Sequence, residues 1–199
     1  MTVPITERGR RTRRRIVAAA TEVVAERGVV GASLDEVGSR ASASRSQLYH
    51  YFADKDELLL AVAEATNDAV LNGQRPHFDE LGSWTGLQRW TDALVAVQEQ
   101  HHGRGGCPIA NLVSQLGERD DDIRTELASG FDRWEAEIRE GLVTMVAAGE
   151  LRLDTDVDWL ASTTLASLQG GLMLTQAHRD PHALRRALDG ALALIATFR

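Results

Sequence analysis

The sequence has few of the residues that build disulfides, zinc sites or phosphate loops. Its 199 residues include a single cysteine, Cys107, and a single lysine, Lys55. One thiol forms neither an internal disulfide nor a multi-thiolate zinc site, which is typical of a protein from a reducing compartment. The phosphate-binding pattern G-x-x-x-x-G-K is absent, because Asp54 precedes the only lysine.

Long apolar runs are also absent. No stretch is long enough to cross a bilayer, and the arginine-rich start lacks the apolar run of a signal peptide. We therefore expect a soluble protein of the bacterial cytoplasm, with no membrane partner.

Charge is unevenly distributed along the chain. The formal net charge is −7. The first 52 residues hold nine arginines and five acidic residues, which give +4, so the remainder carries −11. A basic segment joined to an acidic remainder is typical of a protein that binds nucleic acid at one end.

Apolar residues recur with helical spacing in the segments between the glycines and prolines. No segment shows the alternation of apolar and polar residues that is typical of a strand. With 43% hydrophobic residues, the chain is predicted to be all-α, with a compact amino-terminal three-helix unit over residues 1–54 and a larger helical bundle over residues 55–199. Capping and apolar spacing place the helices at about 10–27, 34–41, 44–51, 54–72, 85–101, 108–116, 121–148, 155–177 and 181–198.

Two short helices behind a longer one form the helix-turn-helix plan. Ser33 and Glu36 predict a capping box at the start of the first short helix. The second short helix carries side chains that reach bases or phosphates in a major groove: Arg45, Ser46, Gln47, Tyr49 and His50. Gln47 suits bidentate binding to adenine, whereas Arg45 suits guanine or phosphate.

Residues 32–62, ASLDEVGSRASASRSQLYHYFADKDELLLAV, resemble the TetR family of bacterial transcriptional regulators. The resemblance implies phosphate contacts from Ser33, Tyr49, Tyr51 and Lys55, and groove contacts from Arg45, Ser46, Gln47 and His50. The sequence departs from the family at Ser42, where a glycine is usual, and at Ser46 and Gln47, so the operator sequence does not transfer. Because serine has a side chain, we expect Ser42 to adopt a positive φ at a steric cost that glycine would not have.

The arginines before the first apolar face have two interpretations. Either they form an arm that enters the minor groove or binds flanking phosphates, or they form a solvated basic tail: Arg8, Arg10, Arg11, Arg13 and Arg14.

The resemblance implies that residues 1–54 are a helix-turn-helix DNA-binding domain and residues 55–199 a helical ligand-binding and dimerisation bundle with a second site for a small-molecule effector. The candidate ligand-binding residues, for which plain core packing is the alternative, are Trp90, Cys107, Phe131, Trp134, Gln169 and Met173. Cys107 precedes Pro108 and is predicted at a helix N-cap, where the thiol pKa falls. A redox or electrophile sensor that uses Cys107 is therefore the alternative function, and a structural cysteine is the simpler interpretation.

The last two helices carry small and apolar faces, which by resemblance form a homodimer interface. The alternative is packing within one subunit. An enzyme is disfavoured, because the histidines make no zinc pair and the acids at 154–158 do not complete a calcium loop. We predict no catalytic residue, no metal and no cofactor. An architectural DNA-binding protein would be basic throughout, which the acidic remainder contradicts. The predicted function is a repressor that leaves a palindromic DNA operator when an effector binds.

Overall fold

A computed structural model describes residues 6–199, which fold into nine α helices without a strand. The helices are α1 (Glu7–Gly31), α2 (Leu34–Arg40), α3 (Arg45–Tyr51), α4 (Lys55–Phe78), α5 (Trp84–Gln100), α6 (Pro108–Leu116), α7 (Asp121–Ala147), α8 (Val157–His178) and α9 (His182–Ala196). The all-α prediction is confirmed. The bounds of α3, α5, α6, α7 and α8 lie within two residues of the predicted ones.

Two helices run further than their sequence pattern predicted. Thr6 caps α1 three residues earlier than expected, with its hydroxyl oxygen accepting the Gly9 N–H at 3.2 Å. The predicted end of α4 at Asn72 and Gly73 is wrong, because the helix continues to Phe78 with Pro76 inside it. A proline lacks only its own N–H. Near the end of a helix, the loss of one bond does not stop the last turn.

The described residues divide into two compact units. The first unit comprises the described chain up to Val70 together with Asn111–Ser129, and the second comprises Leu71–Ala110 and Gly130–Arg199. Helices α4, α6 and α7 each contribute residues to both units. A single cut in the sequence therefore does not separate the two cores.

The first unit has a small core formed by α1, α2, α3 and the first half of α4. The apolar face predicted on α1 is buried, and so are the residues beneath the short helices: Ile16, Ala20, Val23, Val24, Val37, Ala41, Leu48, Phe52, Leu58, Leu59 and Val62. Arg40 at the end of α2 also holds α1, since its two terminal nitrogens each donate to a carboxylate oxygen of Glu26 at 2.7 Å. This hydrogen bond keeps the pKa of Glu26 below its ordinary value.

The second unit is organised around the antiparallel pair α8 and α9, and α5 packs on α9. Asp156 caps α8, with its carboxylate accepting the Trp159 N–H at 3.0 Å. The close approach of the pair requires Gly171, where an added Cβ would lie 2.9 Å from the side chains of Ala187 and Leu184. Ion pairs link further helices of this unit, Arg185 with Asp92 and Arg139 with Asp158.

The turn between α2 and α3 has the strained geometry that its sequence predicted. Ser42 has a φ of 48°, in the left-handed region that glycine adopts without steric cost. The Ala43 N–H donates to the Gly38 carbonyl at 2.8 Å across the turn. The backbone geometry usual for glycine is therefore kept with a serine in place.

Substitution of Ser42 should change stability according to how well the new residue tolerates positive φ. We expect Ser42→Gly to raise the free energy of unfolding by up to about 1 kcal/mol, the gain from relieved left-handed strain being partly offset by unfolded-state entropy. Ser42→Val should lower it, because a β-branched side chain tolerates this region poorly. Urea unfolding measures both. Equal stabilities for the glycine and valine variants would contradict the strain at this turn.

Candidate nucleic-acid interface

Helix α3 presents one polar face to solvent and buries the other. Leu48 is 3% exposed, whereas the side chains around it are exposed: Arg45, Ser46, Gln47, Tyr49 and His50. Tyr51, the last residue of α3, is half-buried. The predicted groove-facing residues therefore lie together on one surface, which we call the α3 face and define by those five residues.

A capping box stabilises the start of α3 and engages one predicted base reader. The Ser44 hydroxyl accepts the Gln47 N–H at 3.3 Å, and the Gln47 side-chain oxygen accepts the Ser44 N–H at 2.9 Å. The hydroxyl of Ser46 lies 2.9 Å from that of Ser44. A base contact through the Gln47 side-chain oxygen would therefore compete with the cap. The side-chain nitrogen takes no part in the cap and can donate to a base.

Arg45 and Tyr49 form a pair one turn apart on the α3 face. The guanidinium carbon lies 5.8 Å from the centroid of the Tyr49 ring. A hydrogen bond to Tyr49 raises the pKa of Arg45 above its ordinary value. His50 meets Tyr51 edge to face, with ring centroids 4.9 Å apart. These contacts restrict the side chains that would approach DNA.

The two predicted phosphate contacts outside α3 have different surroundings. Ser33 is exposed at the N-cap of α2, where its hydroxyl oxygen accepts the Glu36 N–H at 3.2 Å and its O–H proton can still donate to a phosphate. The carboxylate of Glu36 reaches Arg27 at 2.9 Å. Lys55 is half-buried, and its ammonium donates to the carbonyls of Val29 and Ala32.

The basic arginines do not form an arm or a tail, because they lie in the first turns of α1. Glu7 accepts hydrogen bonds or ion pairs from Arg10 at 2.8 Å and Arg14 at 3.3 Å. Arg13 stacks over Phe52 with its guanidinium carbon 5.2 Å from the ring centroid, and Arg15 donates to the Ser42 carbonyl at 3.5 Å. Helical geometry from Glu7 onward corrects the extended arm and the tail, while contacts of these arginines with flanking phosphates stay a prediction.

In the second unit, a cavity of about 360 Å³ brings together two of the predicted effector-contacting residues, Phe131 and Gln169. The complete lining is Ala110, Phe131, Glu135, Ser162, Leu165, Ala166 and Gln169. Both amide atoms of Gln169 are buried and have no nitrogen or oxygen partner among residues 6–199. The side chain interacts with the Cys107 thiol, but a thiol is a weak hydrogen-bonding partner. A buried amide with so weak a partner is costly unless a ligand or water also binds it.

The other candidates lie elsewhere. Trp90 is fully buried with its ring N–H bound to Gln74 at 2.9 Å, so it is a core residue. Trp134 is 2% exposed and does not line the cavity. The prediction that Met173 lines the cavity is corrected, since its side chain is 65% exposed. Sequence reasoning missed Glu135, although it lies one turn after Phe131 on α7.

Cys107 directly precedes α6, as predicted, but its acidity is opposite to the prediction. Burial raises the pKa of the Cys107 thiol, and it outweighs the backbone amides of Ala110 and Ile109 and the side chain of Gln169, which favour the thiolate. The residue is 4% exposed. A thiol that is buried and protonated at neutral pH lacks the accessible thiolate that redox and electrophile sensors use.

Comparison with known proteins identifies this architecture. A model of the amino-terminal domain of bacterial regulatory proteins of the TetR family matches residues 16–62. A model described as a tetracyclin repressor-like carboxy-terminal domain matches residues 85–191, which is more than half of the chain. The chain belongs to the TetR family. It is therefore a DNA-binding transcriptional regulator and not an enzyme.

Individual TetR-family proteins align over most of the chain. The transcriptional regulator AcuR of Cereibacter sphaeroides is 28% identical over 171 residues, which cover 85% of this chain and 78% of AcuR. The transcriptional repressor DhaR of Mycobacterium sp. (strain GP1) is 25% identical over 185 residues, which cover 92% of this chain and 89% of DhaR. A TetR-family regulator from Cytophaga hutchinsonii has the same fold, with a TM-score of 0.82, 19% identity and 98% coverage of both chains.

Residues 6–199 contain no helix that is both long and apolar enough to cross a membrane. The same part of the chain contains no group of three or more His, Cys, Asp or Glu side chains arranged to hold a metal ion.

Gln47 has two roles to test, the observed helix cap and the predicted base contact, and two substitutions separate them. Gln47→Glu keeps an acceptor oxygen for the Ser44 N–H but removes the amide donors, whereas Gln47→Ala removes both. We expect only Gln47→Ala to lower stability, by about 1 kcal/mol, the usual size of a lost helix cap. Both variants should relax or change the preference at one base pair of a duplex selected from a random pool. An unchanged selected sequence in both variants would remove Gln47 from the base contacts.

Proposed function

We propose that the chain is a homodimeric repressor that binds a palindromic operator through the α3 face and is released when a small molecule enters the cavity beside Gln169. The observation that carries the operator half is the α3 face itself, five exposed polar or charged side chains on a helix that fits a major groove. Phosphate contacts from Ser33, Tyr49 and Tyr51 would position this face. DhaR, a relative over most of the chain, is a repressor, which supports repression here.

Charge supports the same division of roles. The basic first 52 residues carry +4 and the remainder −11. A positive segment attracts the phosphate backbone, and an acidic remainder opposes non-specific binding elsewhere on the surface. Specific recognition therefore depends on the small basic segment.

The effector half of the proposal is supported by the chemistry of the cavity. Its volume of about 360 Å³ is in the range of small-molecule sites. Phe131 and Leu165 supply apolar walls, Glu135 and Ser162 supply polar groups, and Gln169 offers both a donor and an acceptor. A compact organic molecule with an apolar part and at least one hydrogen-bonding group fits this lining. Binding would act by favouring the conformer with low operator affinity.

The apolar faces of the last two helices that were expected to form the dimer pack within one chain instead, as Leu168 and Leu188 show with 0% exposure each. A second copy of the chain is therefore the proposed cover for the outer side of α8 and α9. Helix α8 exposes three large apolar side chains on this surface, Trp159, Met173 and Leu174, by 48%, 65% and 46%. Gly170 on α8 and Gly190 on α9 face open space, because a Cβ added at either position would meet no atom within 4 Å. Apolar side chains beside exposed glycines suit close helix packing in a symmetric four-helix interface.

The function is tested by binding the protein to a fluorescent duplex of its own upstream DNA and screening compounds for release. We expect specific binding, and an effector that weakens it by a factor of about 5–150, the usual range of allosteric coupling. A reporter gene behind the same DNA should be expressed more strongly when the effector is added. Binding without any releasing compound would overturn the effector half, and lower expression with the effector would overturn repression.

Gln169→Leu separates the effector site from the operator site. Because Leu removes a buried unsatisfied amide, we expect the free energy of unfolding to rise by about 1 kcal/mol and operator affinity to persist. The releasing compound should lose its effect. Gln100→Leu, which changes an exposed glutamine on α5, is the matched control and should respond normally. Normal release from Gln169→Leu would show that the effector binds elsewhere.

Gly190→Glu tests the dimer without disturbing the single chain, since its Cβ has open space and its φ is ordinary. We expect the mass in light scattering to fall from that of a dimer to the 21.8 kDa of one chain. Gly73→Glu on α4 is the matched control, because it also faces open space but lies far along the sequence from α8 and α9. A dimeric Gly190→Glu variant would contradict the proposed interface.

A further inference from the structure

The connection between α1 and α2 leaves backbone groups that need partners from outside the helix. Helix α1 breaks at Gly28, which has φ 71° and ψ 169°, and one further turn leads to Ser33, the N-cap of α2. We call residues 28–32 the α1–α2 junction. Its position fixes where α2 begins, and α2 in turn packs on α3.

Two side chains from other helices bind the backbone of the junction, one at the N–H of Val29 and the other at its carbonyl. The Val29 N–H donates to the side-chain oxygen of Gln115, on α6, at 2.8 Å. The Val29 carbonyl accepts from the ammonium of Lys55, on α4, at 3.0 Å, and the Ala32 carbonyl accepts from the same ammonium at 2.7 Å. Val29 itself is 1% exposed. These residues all belong to the first compact unit.

Most of the hydrogen-bonding capacity of Lys55 is used within the first unit. Two of its three N–H groups donate to carbonyls at the C-terminal end of α1, where the helix dipole favours a cation. Hydrogen bonds from a charged donor are strong. A phosphate would therefore have to bind this half-buried group through its one remaining N–H or displace a carbonyl.

Gln115 is held in a fixed orientation as well. Its amide nitrogen donates to the Asn111 carbonyl, one turn back on α6, at 3.0 Å. Its oxygen lies so close to the break in α1 that a Cβ added to Gly28 would approach it to 2.9 Å. The glutamine therefore bonds to the junction from a rigid helix.

We propose that Lys55 and Gln115 are positioning residues for operator binding, which hold the α1–α2 junction so that the α3 face fits the groove, and that Lys55 acts through Val29 and Ala32 rather than through a phosphate. The inference rests on the operator contacts of the α3 face proposed above. It assigns the single lysine a role different from the phosphate contact that the family resemblance implies.

Salt dependence distinguishes the two roles of Lys55. A lysine that neutralises one phosphate contributes about 0.9 to the slope of log affinity against log salt concentration, and its loss weakens specific and non-specific binding alike. A positioning residue leaves the slope unchanged and weakens only specific binding, because non-specific binding does not need the α3 face in register.

The experiment measures the affinity of Lys55→Met and Gln115→Leu for a duplex selected from a random pool by the unmodified protein, and for a scrambled duplex, at several salt concentrations. We expect each variant to bind the selected duplex about tenfold more weakly, the effect of about one hydrogen bond. The affinity for the scrambled duplex and the salt slope should stay unchanged. Circular dichroism at the assay temperature establishes that each variant is folded.

Conservative and matched variants complete the test. Gln115→Glu keeps an acceptor for the Val29 N–H and should restore most of the affinity that Gln115→Leu loses, whereas Gln100→Leu should bind like the unmodified protein. The double variant of Lys55→Met and Gln115→Leu should lose less than the sum of the two single effects, since both act on one residue.

Three outcomes would overturn the inference. A slope that falls by about 0.9 in Lys55→Met, with equal weakening on both duplexes, would make Lys55 a phosphate contact. An unchanged specific affinity in Gln115→Leu would remove the junction from operator binding while leaving the proposed function intact. If the unmodified protein selects no duplex, or Arg45→Ala binds the selected duplex normally, the proposed α3 contacts fail and the inference fails with them.

Discussion

A helix of seven residues is too short to be stable alone in water, and both helices of the reading unit, α2 and α3, have that length. Their conformation depends on burial of a few side chains against the longer helices. Gly38 is essential to this packing, because an added Cβ would lie 2.9 Å from the Ala43 carbonyl and 3.2 Å from the Leu48 side chain. The exposed polar face of α3 therefore depends on the close packing of Leu48 on the opposite side of the helix.

The same constraint explains why polar contacts are so dense around the short helices. Each helix end leaves backbone groups without partners, and a short helix has few internal bonds to compensate. Ser33 and Ser44 cap the two N-termini, while Arg40 holds α2 to Glu26 on α1. In α3 the side chain of Gln47 serves as cap and lies on the exposed α3 face. Helix stability and the proposed base contact thus involve the same side chain.

Local features of this chain were predictable from its sequence, whereas features that depend on tertiary surroundings were not. The caps at Ser44 and Asp156, the break at Gly28 and the positive φ at Ser42 follow from the conformational preferences of single residues. The end of α4 was not predictable, because the helix continues past Gly73 and Pro76, where single-residue preferences favour a stop, as far as the buried Phe78.

The environments of Cys107 and Lys55 illustrate the same limit at the candidate sites. Sequence position placed Cys107 correctly before α6, but the direction of its pKa shift depends on burial by residues distant in sequence. The motif likewise placed Lys55 at the start of α4, but not the carbonyls of Val29 and Ala32 that bind its ammonium. Phe131 and Gln169 were recognisable as a pair of candidates, while the cavity between them depends on how α7 and α8 pack.

Helix α6 has a special place in this scheme because one short, regular helix carries residues with two different roles. Ala110 lines the cavity, and Gln115, five residues later in the sequence, bonds to Val29. Five residues of α helix span about 7.5 Å, and an intact helix of this length shifts as a unit. The Gln115 bond is short and directional, so it is sensitive to such a shift. If the effector proposed for the cavity displaces α6, the contact that holds the α1–α2 junction would change with it.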